Sequence, residues 1–164
     1  MIPVKVHPHP SNRQAMRLIT VFLLVFAMDA RSQTAEDSVR SAVAGLFGAM
    51  YDADASALRS HVSDTARMET LSTKPDGVVV LGRSTAAAWI ESVGRQKKGV
   101  LDERAETRSV MVDGPMAMAW VPYRFYYQGT FSHCGLNVML FARGREGWKL
   151  VSVTDTRRKD ACPN

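Results

Sequence analysis

From Val100 to Asp155 the chain is a series of strand-length segments separated by tight turns, and this stretch limits the fold more than any other feature. One segment runs from about Val100 to Val112 and reaches the turn Asp113-Gly114-Pro115. Met116 to Tyr127 follows, then a tight turn at Gly129. Phe131 to Ala142 leads into Gly144-Arg145-Glu146-Gly147, and Trp148 to Asp155 closes the series. Turns this short join antiparallel neighbours, because parallel neighbours need a crossover of about a dozen residues or more. The second half of the chain is therefore expected to be an antiparallel meander.

The first half reads differently. Thr34, with Asp37 three residues on, has the spacing of a helix cap. Val39, Ala42, Val43, Leu46, Phe47 and Met50 then recur on one face, which predicts a helix from about Ala35 to Tyr51. Asp52-Ala53-Asp54 breaks it, and Ala55 to His61 has room for one or two further turns. Ala66 to Leu71 and Val78 to Leu81 read as strands around the turn Lys74-Pro75-Asp76-Gly77. Ser84 is placed to cap a short helix with Trp89, Ile90 and Val93 on one face, ended by Gly94. A long helix, a hairpin, a short helix and a meander make an α+β domain, with a curved antiparallel sheet wrapped around the N-terminal helix. Such a sheet leaves a cone with one open end, a geometry that suits a ligand pocket.

Leu18 to Met28 form a short apolar run with only Thr20 polar. Lys5, Arg13 and Arg17 precede it, and Ala30-Arg31-Ser32 follows with small residues at the first and third places. This is the pattern of a secretory signal peptide cleaved after about Ser32, with Met16 a second candidate initiator. A membrane span needs about 20 apolar residues, so no anchor is expected after cleavage. Residues 1–32 are thus read as the leader and 33–164 as the domain, in a secreted or periplasmic protein. The charge changes accordingly. The whole chain carries 21 basic and 16 acidic side chains, a net of +5. The leader removes four basic residues (Lys5, Arg13, Arg17, Arg31) and one acid (Asp29), leaving 17 against 15. A net of +2 excludes nucleic acid as an expected partner, since the remaining clusters, Arg95 to Lys98 and Arg157 to Lys159, read as solvated surface.

Two cysteines, Cys134 and Cys162, remain in the domain. An even count in an exported chain points to a disulfide. His133 adjoins Cys134, but strand neighbours point to opposite faces, so the His is badly placed to take a proton from that thiol. No Cys and His spacing resembles a metal site, and no cofactor is expected.

Several short runs, in this order and spacing, resemble a known superfamily: Asp102-Glu103-Arg104; Asp113-Gly114 leading to Ala119-Trp120-Val121-Pro122-Tyr123-Arg124-Phe125; Phe131-Ser132-His133-Cys134-Gly135-Leu136-Asn137; Gly147-Trp148-Lys149-Leu150; and Asp155-Thr156-Arg157-Arg158-Lys159 with Cys162. The chain resembles the nuclear transport factor 2-like superfamily, and more closely an exported bacterial subgroup sometimes labelled lumazine-binding. The resemblance implies the cone fold and the pairing of Cys134 with Cys162. The superfamily includes ketosteroid isomerases, scytalone dehydratases and polyketide cyclases, but also pockets without chemistry, so the fold leaves function open. For an isomerase, Tyr51 is a candidate phenol and Asp155 or Glu69 a candidate carboxylate. For a dehydratase, the inventory is His133, Asp155 and Tyr123.

Strand parity narrows the candidates. A symmetric hairpin across Gly144 to Gly147 pairs Phe141 with Leu150, Met139 with Ser152, Asn137 with Thr154 and His133 with Arg158. His133 and Asp155 then fall on opposite faces unless a bulge intervenes. The face with Asn137, Met139 and Ser152 mixes apolar and small polar groups, as a pocket wall does. Tyr51, Trp89, Trp120, Tyr123, His133, Asn137, Met139 and Ser152 are the pocket candidates. Trp120 and Trp148 also read as packing anchors, and the aromatic run at Tyr123, Tyr126 and Tyr127 is explained by β propensity. Asp155 with Arg157 or Arg158 reads as a structural ion pair tying the last strand to the tail, near the cysteines.

The leading expectation is an exported, non-catalytic pocket that binds a small apolar or aromatic molecule and forms a homodimer through the sheet. The alternatives are a proton-transferring isomerase, dehydratase or cyclase acting on a ring ketone, and a structural or dimerisation domain.

Overall fold

A computed structural model describes residues 34–163, so the leader and its cleavage site lie outside the described residues. The first described element, α1, is helical over 34–51. It is followed by α2 (Ala55–His61), β1 (Val62–Thr73), β2 (Val79–Thr85), α3 (Ala86–Gly94), β3 (Leu101–Ala105), β4 (Ser109–Asp113), β5 (Met116–Tyr127), β6 (Thr130–Gly144) and β7 (Gly147–Arg157). The sheet runs in the order β2-β1-β7-β6-β5-β3, with β4 also paired to β5. The α+β cone expected from the sequence is present.

Local chemistry accounts for the element ends. Asp54 caps α2 by accepting from the amides of Ser56 and Ala57, both at 2.9 Å. α3 is capped by Thr85, whose hydroxyl accepts from Ala88 N at 3.1 Å, one residue later than the Ser84 expected. Ser84 remains in β2, opposite Met68 of β1. Gln128 and Gly129 both have positive φ, 51° and 78°. That is the signature of the two-residue turn whose twist suits a hairpin.

Two departures from the expected meander matter. The sheet is mixed, because β1 runs parallel to β7 and so joins the first hairpin to the last strand. The predicted strand Val100 to Val112 is two strands, β3 and β4, on the same edge of β5. Ala105 lies opposite Tyr123 and Ser109 opposite Trp120, so four steps on one side meet three on the other. The cause is Pro122. It accepts from Glu106 N at 3.0 Å but has no N–H to return, and the ladder slips there.

The core lies between α1 and the concave face of the sheet. Val39, Val43, Leu46 and Met50 are buried with Ala117, Ala119 and Val121 of β5, Met139 and Phe141 of β6, and Leu150 of β7. Small side chains at 117 and 119 suit a helix lying close over the strand. Trp148 of β7 donates its indole N–H to Ser38 Oγ of α1 at 2.8 Å, tying this end of the sheet to the helix. The buried α1 face packs with positions 117–121 of β5 and 139–141 of β6. Positions 123–125 of β5 and 133–137 of β6 line a cavity instead.

Candidate functional site

The open end of the cone holds a cavity of about 460 Å³. Its walls are largely apolar: Leu46, Phe47 and Met50 of α1, Trp89 and Val93 of α3, and Leu101, Phe125, Met139, Leu150 and Val153 of the sheet. One polar group among them is formed by Thr70, Glu103, Tyr123, His133, Asn137, Asp155 and Arg157, and a second, toward β1, β2 and α3, by Glu69, Arg83, Ser84 and Ser92.

Sheet register assembles the residues of the first group. Asn137 of β6 lies opposite Asp155 of β7, which lies opposite Thr70 of β1, so three polar side chains form one row on the concave face. A second row runs from Glu103 of β3 through Phe125 of β5 to His133 of β6. Asp155 is the hub. It accepts from Thr70 Oγ1 at 2.6 Å, from the Tyr123 hydroxyl at 3.1 Å and from Arg157 Nε at 2.9 Å. The Tyr123 hydroxyl also lies 3.0 Å from the Thr156 carbonyl, so its single proton is shared between acceptors of the protein itself. Asn137 donates to Glu103 Oε1 at 2.8 Å.

A one-residue bulge decides which residues meet. Phe141 pairs with Leu150 as expected, but Leu140 then pairs with Ser152, Met139 with Val153 and Asn137 with Asp155. Val151 is the extra residue. Beyond it every β7 side chain is turned to the other face, because the strand period is two. The expected separation of His133 from Asp155 is thereby overturned: both line the same cavity. Ser152 is moved out of the pocket by the same bulge, to the face it shares with Leu140.

The other candidates are placed as follows. Trp89, Tyr123, His133, Asn137 and Met139 line the cavity. Tyr51 does not. It is 41% exposed, in a groove between α1 and β3. Trp120 is 44% exposed on the outer face of β5, where alternation with buried Ala119 and Val121 puts it beside Met111 and Met118. Arg157, not Arg158, makes the ion pair with Asp155. Arg158 instead exchanges backbone hydrogen bonds with Cys134 and donates from Nε to Ala161 O at 2.9 Å. Cys134 and Cys162 are joined by a disulfide with a Cα–Cα distance of 5.6 Å, a pairing compatible with an extracellular location. Among the described residues, no group of three or more His, Cys, Asp or Glu could hold a metal ion.

Thr70 and Glu103 are the members of this polar group that sequence reasoning did not select. The available signal for Glu103 was alternation: Leu101, Glu103 and Ala105 share the inward face of β3, so an acid sits between two apolar positions. Glu103 borders the cavity and is half-buried. Burial pushes its pKa up to about 7, against the hydrogen bond from Asn137, with the charge of Asp155 adding to the rise and Arg157 opposing it. Burial, then the charges of Asp155 and Glu103, also hold Tyr123 well above the usual phenol range. His133 is lowered by burial and by Arg157, against Asp155. Burial opposes the Arg157 charge, but the hydrogen bond and charge of Asp155 more than offset it.

A pH dependence of stability follows from Glu103. Its folded-state pKa of about 7 lies above the ordinary 4.5, so the folded protein binds this proton more tightly than the unfolded chain does. The stabilisation is complete below the unfolded value and is lost as pH rises through the folded one. Urea unfolding at about pH 5 and about pH 8 is expected to show wild type losing roughly 2–3 kcal/mol relative to Glu103→Gln over that interval. A pH-independent difference would mean that the carboxyl is not desolvated.

No family model matches the chain, and no curated protein matches it in sequence. Solved structures do. An NTF2-like protein with a cystatin-like fold from Novosphingobium aromaticivorans aligns with a TM-score of 0.61 at 17% identity, covering 85% of this chain and 90% of that one. An NTF2-like protein of unknown function from Shewanella baltica gives 0.57 at 11% identity, covering 76% and 94%. A domain of unknown function with a cystatin-like fold from Nostoc punctiforme gives 0.57 at 20% identity, covering 80% of each. Identities this low carry the fold and nothing of the chemistry. With its helix-filled cone, its mixed curved sheet and these structural neighbours, the chain has the nuclear transport factor 2-like (NTF2-like) fold.

Proposed function

We propose that this is an exported pocket protein that binds one small, partly apolar molecule in the open end of the cone. The observation that carries the reading is the cavity itself: about 460 Å³, walled by Met, Leu, Phe and Val side chains, with a few polar groups gathered together. That volume and lining are those of sites for small organic ligands. Export rests on the leader pattern and the disulfide. The polar residues favour binding over catalysis as first function. Asp155 is occupied by three donors, and the Tyr123 proton faces Asp155 and a carbonyl, so that phenol is not offered to a developing oxyanion.

The test is a thermal-shift screen of the mature domain against ring compounds. A bound compound at about a hundred times its Kd stabilises the fold by roughly 2.7 kcal/mol, a rise on the order of 10 °C in Tm. Met139→Trp, which fills the cavity, is expected to abolish that response while the variant remains folded. If no ring compound shifts wild type, or if the filled variant responds equally, the reading is wrong.

Glu103 supports a second reading, proton transfer on a ring ketone. A carboxyl whose pKa has been raised to about 7 is suited to accept and return a proton at neutral pH. This reading expects α-proton exchange of a cyclic ketone in D2O, followed by NMR, that is lost in Glu103→Gln. Exchange no faster than in buffer rules it out.

A further inference from the structure

Glu103 lacks a charge partner inside the protein. Among the described residues it forms no ion pair, whereas Asp155 has Arg157 at 2.9 Å and Glu69 has Arg83 at 3.0 Å. Its one hydrogen bond comes from Asn137 to Oε1. No fully buried side-chain oxygen or nitrogen among the described residues is left without a partner, so Oε2, which takes no hydrogen bond, keeps accessible surface; Glu103 lines both this cavity and the groove between α1 and β3. A carboxylate enclosed by protein without a cation is costly, and its enclosure makes any cation that reaches it correspondingly effective.

The neighbouring groups have the same bias. The Asn137 amide donates to Glu103 and leaves its carbonyl oxygen as an acceptor. The Tyr123 hydroxyl directs its proton at Asp155 and the Thr156 carbonyl, so it brings no competing donor to Glu103. Two phenyl rings share the cavity with Glu103: Phe125, opposite it across the β3–β5 pair, and Phe47 of α1. Acceptors beside aromatic faces form a setting for a positively charged nitrogen.

We infer that the cavity takes an organic cation, a ring compound bearing a protonated amine or amidine, with its N–H groups on Glu103 Oε2 and its apolar body against Phe47, Phe125 and Met139. The inference rests on the pocket reading and specifies the ligand's charge. Arg157 contacts the cavity too, but its charge is held by Asp155, so it does not compete for Glu103 as an ion-pair partner. The other ionisable groups lining the cavity are Tyr123 from β5, His133 from β6, Asp155 with Arg157 from β7, and Glu69 of β1 paired with Arg83 of β2. The α1 side chains that line the cavity, Leu46, Phe47 and Met50, carry no charge.

Three compounds with one bicyclic body and different end groups test this: tryptamine, tryptophol and indole-3-acetate, titrated by calorimetry into the mature domain. Tryptamine is expected to bind about tenfold or more tightly than tryptophol at pH 8, with indole-3-acetate weaker than both. Glu103→Gln, which keeps the shape, is expected to reduce the preference for the amine over the alcohol to about twofold or less. Because Glu103 exchanges its proton for the ligand's charge, the amine advantage in wild type is expected to shrink about fivefold or more between about pH 8 and pH 6. His133 lines the same cavity in wild type and in Glu103→Gln, so a pH dependence that is lost in that variant is assigned to Glu103.

Equal binding of amine and alcohol, a preference for the acid, an amine preference that survives in Glu103→Gln, or a ratio that is flat with pH overturns the cation inference. The pocket reading stands in each of those cases. Absence of binding by all three compounds at millimolar concentration overturns both.

Discussion

Replacing Gly135 with alanine is expected to destabilise the protein by on the order of 4 kcal/mol, well beyond an ordinary surface or strand substitution. A Cβ at this position would lie 1.7 Å from the Thr156 carbonyl oxygen and 3.0 Å from the Tyr123 ring. Neither obstacle can step aside cheaply. The oxygen belongs to β7 backbone, which exchanges hydrogen bonds with Cys134 at Arg158 two residues on and is held there by the disulfide. The ring is 3% exposed and anchored through its hydroxyl to Asp155 and Thr156. Gly135 lies opposite Tyr123 in the β5–β6 ladder, and its bare backbone leaves space for that ring. Alanine therefore pushes β7 away or displaces Tyr123, and Asp155 loses a donor. Thermal and urea unfolding of Gly135→Ala measure the loss. A change below about 1 kcal/mol, the range of glycine entropy effects alone, would show that β6 and β7 do not approach this closely.

Removing the disulfide, by Cys134→Ser with Cys162→Ser, is expected to lower stability by roughly 3–4 kcal/mol. The two cysteines are 28 residues apart, and the cross-link chiefly restricts the unfolded chain. Reduction of wild type should reproduce most of the loss, which separates the lost cross-link from any effect of the serines. The change also bears on the site. Cys134 sits between His133, which lines the cavity, and Gly135, and its bridge partner Arg158 follows Arg157. Calorimetric or urea-derived stability that is equal with and without reductant would mean that the tail contributes nothing to the fold.

Much of the architecture was legible because it is written in local patterns. The apolar spacing of Val39, Val43, Leu46 and Met50 specifies a helix face whatever lies opposite it. Turn residues such as Gly129 and the Gly144 to Gly147 segment demand reversals that only antiparallel strands can follow. The parallel pairing of β1 with β7 was not legible, since its two strands are far apart in sequence and no local pattern records which edge accepts the first hairpin. The break between β3 and β4 had a readable cause, Pro122, but only once that residue is known to lie opposite Glu106.

The candidate site depended more heavily on single-residue shifts. Tyr123, His133, Asn137 and Met139 reach the cavity from positions that alternation alone identifies. Asp155 joins them only because Val151 bulges, and the same bulge expels Ser152. Glu103 went unselected because a charged residue in a strand reads as solvent-facing until the edge of the sheet is seen to curl over the open end of the cone.

Residue order alone thus determined a helix-and-meander domain, a leader-like N-terminus and a cysteine pair able to close on each other, since each depends on composition or on neighbours within a few positions. Tertiary structure alone decided which carboxyl carries an unbalanced charge. The groups that act on Glu103, Asn137 of β6 with Asp155 and Arg157 of β7, lie 34 residues or more away along the chain, where no local pattern reaches.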